Sequence, residues 1–123
     1  MARLFYICGA LLAGLAVAIG AYAAHAPAID EVQVLWLEKA VRYQMYHGLA
    51  LILAGLTLVN KRKFTAMTIA AGLCFIGGIV CFSGSLYVMS FTPLEAGLIT
   101  PLGGLLFIAG WVSLAVGGPG GKR

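Results

Sequence analysis

The feature that most constrains this chain is an uninterrupted apolar run over residues 4–24. As a helix, a run of 21 residues is about 31 Å long, enough to cross the hydrocarbon core of a bilayer. The run therefore predicts a transmembrane helix. A cleaved signal peptide is the alternative, because Arg3 precedes the run and "AYAAHA" (residues 21–26) contains A-x-A patterns.

Three further apolar segments follow, and with the first they predict four spans over residues 4–24, 41–59, 64–89 and 98–116. The second span is the least obvious, since its apolar part (residues 46–59) is short and must recruit residues back to about Val41. We expect residues 1–118 to form one four-span transmembrane domain. The glycine-rich composition of residues 119–123 indicates a flexible basic tail.

Composition places this chain in lipid rather than in water. It is 62% hydrophobic and 10% charged, whereas soluble domains carry about 25% charged residues. The net charge of +4 does not indicate a nucleic-acid partner, because the positive charges lie in short clusters between apolar runs, as topology signals do. We therefore expect an integral membrane protein that binds no nucleic acid.

The distribution of basic residues predicts the orientation. Four spans place both termini and the middle loop on one side, which carries six basic residues: Arg3, Lys61, Arg62, Lys63, Lys122 and Arg123. The other side carries Lys39 and Arg42 together with all four acidic residues. The positive-inside rule then places both termini in the cytoplasm. A bacterial plasma (inner) membrane is the expected location, with a mitochondrial inner membrane as the alternative.

The segment between the first two predicted spans has the pattern of an amphipathic helix. Asp30 is a favourable N-cap, and Gln33 stands three residues later in the capping-box position. Apolar residues then share one helical face: Val32, Leu35, Trp36 and Ala40. The pattern predicts an interfacial amphipathic helix over residues 30–45 that runs into the second span.

Small residues recur every seven positions within the predicted spans. Lipid provides no hydrophobic drive for helix association, so small residues that let backbones approach closely mark helix contacts. The glycines that we expect at such contacts are Gly48, Gly55, Gly77, Gly84, Gly103 and Gly110. A period of seven keeps one face turned toward its neighbour, and the fold class predicted is an all-α membrane protein with a compact four-helix transmembrane bundle.

Polar residues lie near one end of each predicted span, and we call them the polar cluster: His25, Tyr43, Gln44, His47, Ser83, Ser85, Tyr87 and Thr100. With the predicted topology they all fall in the outer third of the membrane. Two of them, Tyr43 and His47, are four residues apart and share a helical face. Four helix ends thus bring possible hydrogen-bond partners to one level.

Four blocks of the chain resemble conserved blocks of a known family: "GAYAAHA" (20–26), "AVRYQMYHGLAL" (40–51), "FSGSLY" (82–87) and "ITPLGGLLFIAGW" (99–111). The family is that of small four-span membrane proteins that includes the bacterial inner-membrane protein YgdD and human transmembrane protein 256. The resemblance covers about residues 20–111. It implies four spans and an uncharacterised function. One departure is Ala23, where the family pattern has a second glycine.

The polar cluster has several interpretations. It forms a structural network that locks the bundle, or it binds a lipid, a small amphipathic ligand or a partner subunit. A metal or haem held by His25 and His47 is a weaker hypothesis, since no Asp, Glu or Cys is placed to complete the ligand set. Catalysis by Ser83 or Ser85 with His47 is weaker still, because serines among small residues in membrane helices usually bond to their own backbone.

The sequence therefore predicts a non-catalytic, multi-pass membrane protein with a ligand or partner site in the outer leaflet. A structural or assembly protein is the alternative, and an oligomeric solute carrier is another. We expect no cofactor and no metal. The expected partners are the lipid bilayer and either another membrane protein subunit or a second copy of this chain.

Overall fold

The computed structural model of the protein describes residues 1–25, 30–60 and 65–118. Its helical elements are α1 (Ala2–His25), α2 (Glu31–Val59), α3 (Thr65–Gly78), a π-helical turn (Ile79–Ser83), α4 (Gly84–Phe91) and α5 (Ile99–Gly117). The run Thr65–Phe91 is continuous, and we call it the third rod. The predicted basic middle loop and the C-terminal tail fall at residues 61–64 and 119–123, outside the described residues.

The four rods run alternately up and down. At one end, Thr68 Oγ1 donates to Gly117 O over 2.8 Å, which joins the start of the third rod to the end of α5. At the other end, the rings of Tyr22 and Phe91 lie 6.2 Å apart. We call these the Met1 end and the His25 end, respectively. Along their lengths, α1 packs on α2, α2 packs on the third rod, and the third rod packs on α5.

Three of the rods are long and apolar enough to cross a membrane: Ala2–His25, Thr65–Phe91 and Ile99–Gly117. The fourth, α2, does not reach that criterion within the described residues, because its first half carries Glu31, Glu38, Lys39 and Arg42, followed by Gln44 and His47. At 29 residues it is about 44 Å long, which exceeds the hydrocarbon thickness.

The predicted interfacial helix is not a separate element. It forms the first part of α2, which continues without a break to Val59. The predicted capping box is confirmed, since Gln33 N donates to Asp30 Oδ1 over 2.9 Å and Asp30 N donates to Gln33 Oε1 over 3.2 Å. This reciprocal pair satisfies two backbone donors at the helix start.

Glycines bring α1 and α2 into backbone contact. A Cβ placed on Gly9 would lie 2.5 Å from Gly48 O and 2.7 Å from Ile52 Cγ1. A Cβ on Gly55 would lie 2.7 Å from Ala2 O. These separations are shorter than van der Waals contact, so each position accepts only a hydrogen. The α1–α2 interface therefore depends on close approach of the two backbones.

In the third rod, the buried face differs from the predicted glycine stripe. The buried positions of α3 are Thr68, Ala71, Gly72, Phe75 and Gly78. The predicted contact residue Gly77 lies one position before the buried Gly78. A Cβ on Gly77 would meet only the flexible end of the Leu106 side chain, at 3.3 Å.

Gly84 does not lie at a close helix contact either. A Cβ on it would find nothing nearer than Ile79 O of its own rod, at 3.8 Å. The reason is the π-helical turn at Ile79–Ser83, which takes more residues per turn and so rotates the faces of the rod beyond it.

Aromatic rings pack against the glycines between the third rod and α5. The Phe82 backbone and Cβ occupy the space beside Gly103, and the Phe75 ring occupies the space beside Gly110. In the opposite sense, the Phe107 ring of α5 covers Gly78 of α3. Gly78 and Gly110 thus each accept a neighbouring ring, whereas Gly103 lets α5 approach the Phe82 backbone.

Candidate functional site

Gln44 is a central member of the polar cluster. Its Nε2 donates to Leu12 O of α1 over 2.8 Å. Its Oε1 accepts from the Tyr87 hydroxyl of α4 over 2.7 Å. One amide side chain, 2% exposed, therefore joins three of the four rods.

The hydrogen bond from Gln44 to Leu12 lies near the midpoint of α1. Leu12 lies ten residues beyond Ala2, the start of α1, which is about 15 Å from the Met1 end and about 20 Å from the His25 end. The polar contact is therefore near the middle of the bundle.

His47 lies one turn deeper than Gln44 and joins α2 to α5. Its Nδ1 is 2.7 Å from Tyr43 O, and its Nε2 is 3.1 Å from Trp111 Nε1. A carbonyl only accepts, and an indole N–H only donates. The geometry therefore assigns the neutral tautomer with the proton on Nδ1, which donates to Tyr43 O while Nε2 accepts from Trp111.

Serine hydroxyls connect the third rod to α2 and α5. Ser83 Oγ donates to Ala40 O over 2.8 Å, so the π-helical turn is tied to α2. Ser85 Oγ lies 2.5 Å from Thr100 Oγ1 and also donates to Phe82 O over 2.9 Å. These bonds engage the hydroxyls that were considered as nucleophiles, and they link neither serine to His47.

His25 is apart from the rest of the polar cluster. Its Nδ1 lies 2.9 Å from Ala21 O at the end of α1. His47 is near the level of Gly9, since its neighbour Gly48 packs there, and the two histidines are thus about 24 Å apart along the bundle. Among the described residues, no three His, Cys, Asp or Glu side chains come together as metal ligands.

The buried polar atoms of the bundle are paired. Within the described ranges, no buried side-chain nitrogen or oxygen lacks a hydrogen-bond partner. Gln44, His47, Ser83 and Ser85 are each less than a tenth exposed. An unpaired polar group at this depth costs free energy, so the network stabilises one arrangement of the rods and presents few free groups to a ligand.

Next to this network, an open groove of about 620 Å³ lies between α2 and α5. We call it the aromatic groove, and its lining is Tyr43, Tyr46, His47, Phe82, Pro101, Gly104, Leu105, Phe107, Ile108 and Trp111. Only Tyr43 and His47 belong to both the polar cluster and the groove. The groove extends from the start of α5 at Pro101 to Trp111, about 15 Å along that helix.

Stacked rings form the wall of the aromatic groove. The His47 and Phe107 ring centroids are 3.5 Å apart with planes 7° from parallel. Tyr43 packs on Phe82 at 4.7 Å, and Trp111 meets Phe75 edge-on at 5.1 Å. These rings hold α2 away from α5, and the groove lies where the two backbones do not meet.

Sequence reasoning missed the α5 half of this site. Phe107 and Trp111 are four residues apart on α5, and they face Tyr43 and His47, which are four residues apart on α2. That matched spacing was the available signal. Without knowledge of which helices are neighbours, it could not be distinguished from two ordinary apolar faces.

Fold and site together define a class. A chain of 123 residues with three apolar helices long enough to cross a bilayer and a paired polar interior is a helical membrane protein. The chain belongs to a family of unknown function, DUF423, whose sequence profile matches residues 19–104.

The relatives of this chain are described as membrane proteins. The chain is 45% identical over 118 residues to the UPF0382 membrane protein SH2409 of Staphylococcus haemolyticus, covering 93% of each chain. It is 40% identical over 118 residues to the UPF0382 membrane protein YwdK of Bacillus subtilis, covering 93% of this chain and 94% of the relative. A Haemophilus influenzae UPF0382 membrane protein is 40% identical over 104 residues, 82% of each chain. No solved structure matches the chain.

Proposed function

We propose that this protein is a four-span, non-catalytic membrane protein whose aromatic groove binds an amphipathic molecule dissolved in the bilayer. The observation that carries the proposal is the groove itself, about 620 Å³ in volume and walled by stacked rings. Binding sites for small molecules are typically 300–1,000 Å³, mostly apolar, with a few polar groups. Here Tyr43 and Tyr46 supply hydroxyls on an otherwise aromatic and aliphatic wall.

A small amphipathic molecule suits this groove better than a partner helix. A helix with its side chains is about 10 Å across, so most of a docked helix would lie outside an open groove of about 620 Å³. A molecule with a ring or chain of a few carbon atoms in width fits between α2 and α5 without separating them.

The polar cluster has a different role in this proposal, namely to lock the bundle. The support is that Gln44 and Ser83 bond to backbone carbonyls of neighbouring rods and are almost fully buried. Interhelical hydrogen bonds in membranes stabilise by about 0.6 kcal/mol on average, so the gain is mainly in register. Within the cluster, only Tyr43 and His47 contribute to the groove wall.

We propose the predicted topology for the same chain, with all four rods spanning and both termini in the cytoplasm of a bacterial cell. For α2, the support is its packing against α1 through Gly48 and Gly55, which places residues 41–59 beside the apolar residues 4–24 of α1. Its charged first part then extends toward the outer surface, where Trp36 is suited to the headgroup level.

The test is native mass spectrometry of the full chain released from native lipid particles. We expect a stoichiometric extra mass on the wild-type protein, and the size of that mass identifies a small molecule or a protein subunit. The variant Gly104→Phe fills the groove, because Gly104 lines it and the nearest atom to an added Cβ is Phe82 Cδ2 at 3.9 Å. We expect the extra mass to be lost in this variant.

The matched control is Gly14→Phe, which adds the same side chain to α1 at a position with nothing within 4 Å of an added Cβ. This variant is expected to keep the extra mass. A bare wild-type monomer, or an extra mass that survives Gly104→Phe, would contradict binding in the aromatic groove. A protein-sized extra mass would identify the occupant of the groove as a protein subunit rather than a small molecule.

A further inference from the structure

A second cavity, of about 330 Å³, lies between α1 and α2, away from the aromatic groove. We call it the α1–α2 pocket. Its lining combines three small residues of α1 with two charged residues and one valine of α2: Gly20, Ala23, Ala24, Glu38, Arg42 and Val41. The small residues leave room, and the charged residues supply one negative and one positive group.

We propose that the α1–α2 pocket binds the headgroup of a phospholipid that carries both a phosphate and a primary ammonium, as phosphatidylethanolamine does. The juxtaposition that carries the proposal is Arg42 and Glu38 on one wall of a cavity with a glycine and two alanines opposite. A guanidinium matches phosphate oxygens with paired donors. A carboxylate accepts hydrogen bonds from a primary ammonium.

The order of the two charges along α2 agrees with the order of groups in such a headgroup. Glu38 is nearer the His25 end, and Arg42 is one helical turn, about 6 Å, closer to the middle of the bundle. In a phospholipid the phosphate is attached next to the glycerol, and the ammonium is beyond it. A lipid lying beside α1 and α2 with its acyl chains toward the bundle centre therefore brings phosphate to Arg42 and ammonium to Glu38.

Both charged side chains are available to such a ligand. Glu38 and Arg42 are exposed, and they line the same cavity. Gly20 forms the floor of that cavity, where a Cβ would lie 3.2 Å from Val41 Cγ1. A larger side chain at Gly20 must therefore enter the space that the headgroup would occupy.

This inference assumes the spanning topology proposed above, but it does not depend on the aromatic groove. The test uses the full chain in bilayers of equal parts phosphatidylethanolamine and phosphatidylcholine, followed by native mass spectrometry of the retained lipids. Choline has three methyl groups in place of the ammonium hydrogens, so it cannot donate to Glu38. We expect wild-type protein to retain the ethanolamine lipid about two- to fivefold over the choline lipid, the factor that an exposed ion pair supplies.

Three variants assign the preference to the pocket. Glu38→Gln should reduce the ratio to about one while total lipid retention persists, and Arg42→Gln should reduce retention of both lipids. Gly20→Leu should remove the preference by filling the floor. Lys39→Gln, a neighbouring exposed charge outside the pocket lining, is the control and should keep the wild-type ratio.

Several outcomes would overturn the proposal: a wild-type ratio of one, a preference that survives Glu38→Gln or Gly20→Leu, or equal effects of Lys39→Gln and Glu38→Gln.

A displacement experiment with soluble glycerophosphoethanolamine distinguishes a membrane lipid from a free headgroup. Failure of this compound to displace the retained lipid supports a membrane-anchored ligand, and full displacement would assign the pocket to a soluble headgroup instead. Because Gly104→Phe does not touch this pocket, failure here and failure of the groove proposal are distinguishable.

Discussion

Helix α2 faces α1 and α5 in different ways. Toward α1, α2 presents Gly48 and Gly55, and the two backbones come into contact. Toward α5, it presents Tyr43 and His47, whose rings stack on Phe107. One helix therefore forms a closed interface on one side and an open, ring-lined groove on the other.

The difference teaches how a short membrane protein can be rigid and still have a cavity. Backbone contact between glycines leaves no space, since a missing side chain lets the partner helix approach. Aromatic side chains set a wider helix separation that they fill only in part. The hydrogen bonds of Gln44 to α1 and of His47 to Trp111 then fix the register on both sides.

The largest effect should come from removing the ring that separates α2 from α5. We expect Phe107→Ala to lower the free energy of unfolding by about 3–5 kcal/mol, since the change leaves a cavity in a packed site. Phe107 is 4% exposed and covers Gly78. The measurement is equilibrium unfolding of the full chain in mixed micelles.

The control for this change is Phe91→Ala, because Phe91 is the same residue type but half exposed. Its effect should be clearly smaller. Equal losses of stability from the two variants would mean that the stacked rings do not hold α2 and α5 in place.

The next effect should come from the closed interface. Gly9→Ala adds a Cβ that would lie 2.5 Å from Gly48 O, and a backbone atom cannot move aside as a side chain can. Overpacking of this kind costs about 1–3 kcal/mol, measured by the same unfolding experiment. Gly14→Ala on the same helix has open space around its Cβ and should leave stability unchanged. A comparable loss at Gly14 would show that the cost is not due to the α1–α2 contact.

Part of this architecture was predictable from local pattern. The capping box depends on Asp30 and Gln33 alone, and the glycine period of α2 depends on the spacing of Gly48 and Gly55. Both signals are local or lie within one helix, so no knowledge of the neighbouring helices was needed. The apolar runs likewise indicated helices whose bounds differ from the observed ones by few residues, except at the start of α2.

The parts that were not predictable depend on how helices rotate against one another. In α3, the large Phe75 ring takes the interior position and turns Gly77 toward the edge of the interface. The π-helical turn then changes the phase again before Gly84. The partners of Gln44 were not predictable either, because they lie on α1 and α4.

The pair Gln44 and Tyr87 should show a modest coupling that tests the structural role of the polar cluster. In a double-mutant cycle with Gln44→Leu and Tyr87→Phe, we expect a coupling energy of about 0.6 kcal/mol, the average for interhelical bonds in membranes. The reason is the single 2.7 Å bond from the Tyr87 hydroxyl to Gln44 Oε1. A matched control is the cycle with Tyr6→Phe, since Tyr6 is half exposed on α1. A coupling energy of zero between Gln44 and Tyr87 would contradict the proposal that the polar cluster stabilises one arrangement of the rods.

The smallest stability effect should come from Trp111→Phe, and it is the variant that most directly tests the groove side of α2. Phenylalanine keeps part of the ring contact with Phe75 and loses the indole N–H that donates to His47 Nε2. We expect a loss of about 0.6 kcal/mol. The more specific measurement is the ¹⁵N NMR spectrum of the His47 imidazole. Because Nδ1 donates to Tyr43 O, the proton should stay on Nδ1 in both proteins while the Nε2 resonance moves to that of an unbonded acceptor. A wild-type His47 with its proton on Nε2 would break both hydrogen bonds and leave the rings alone to set the α2–α5 separation.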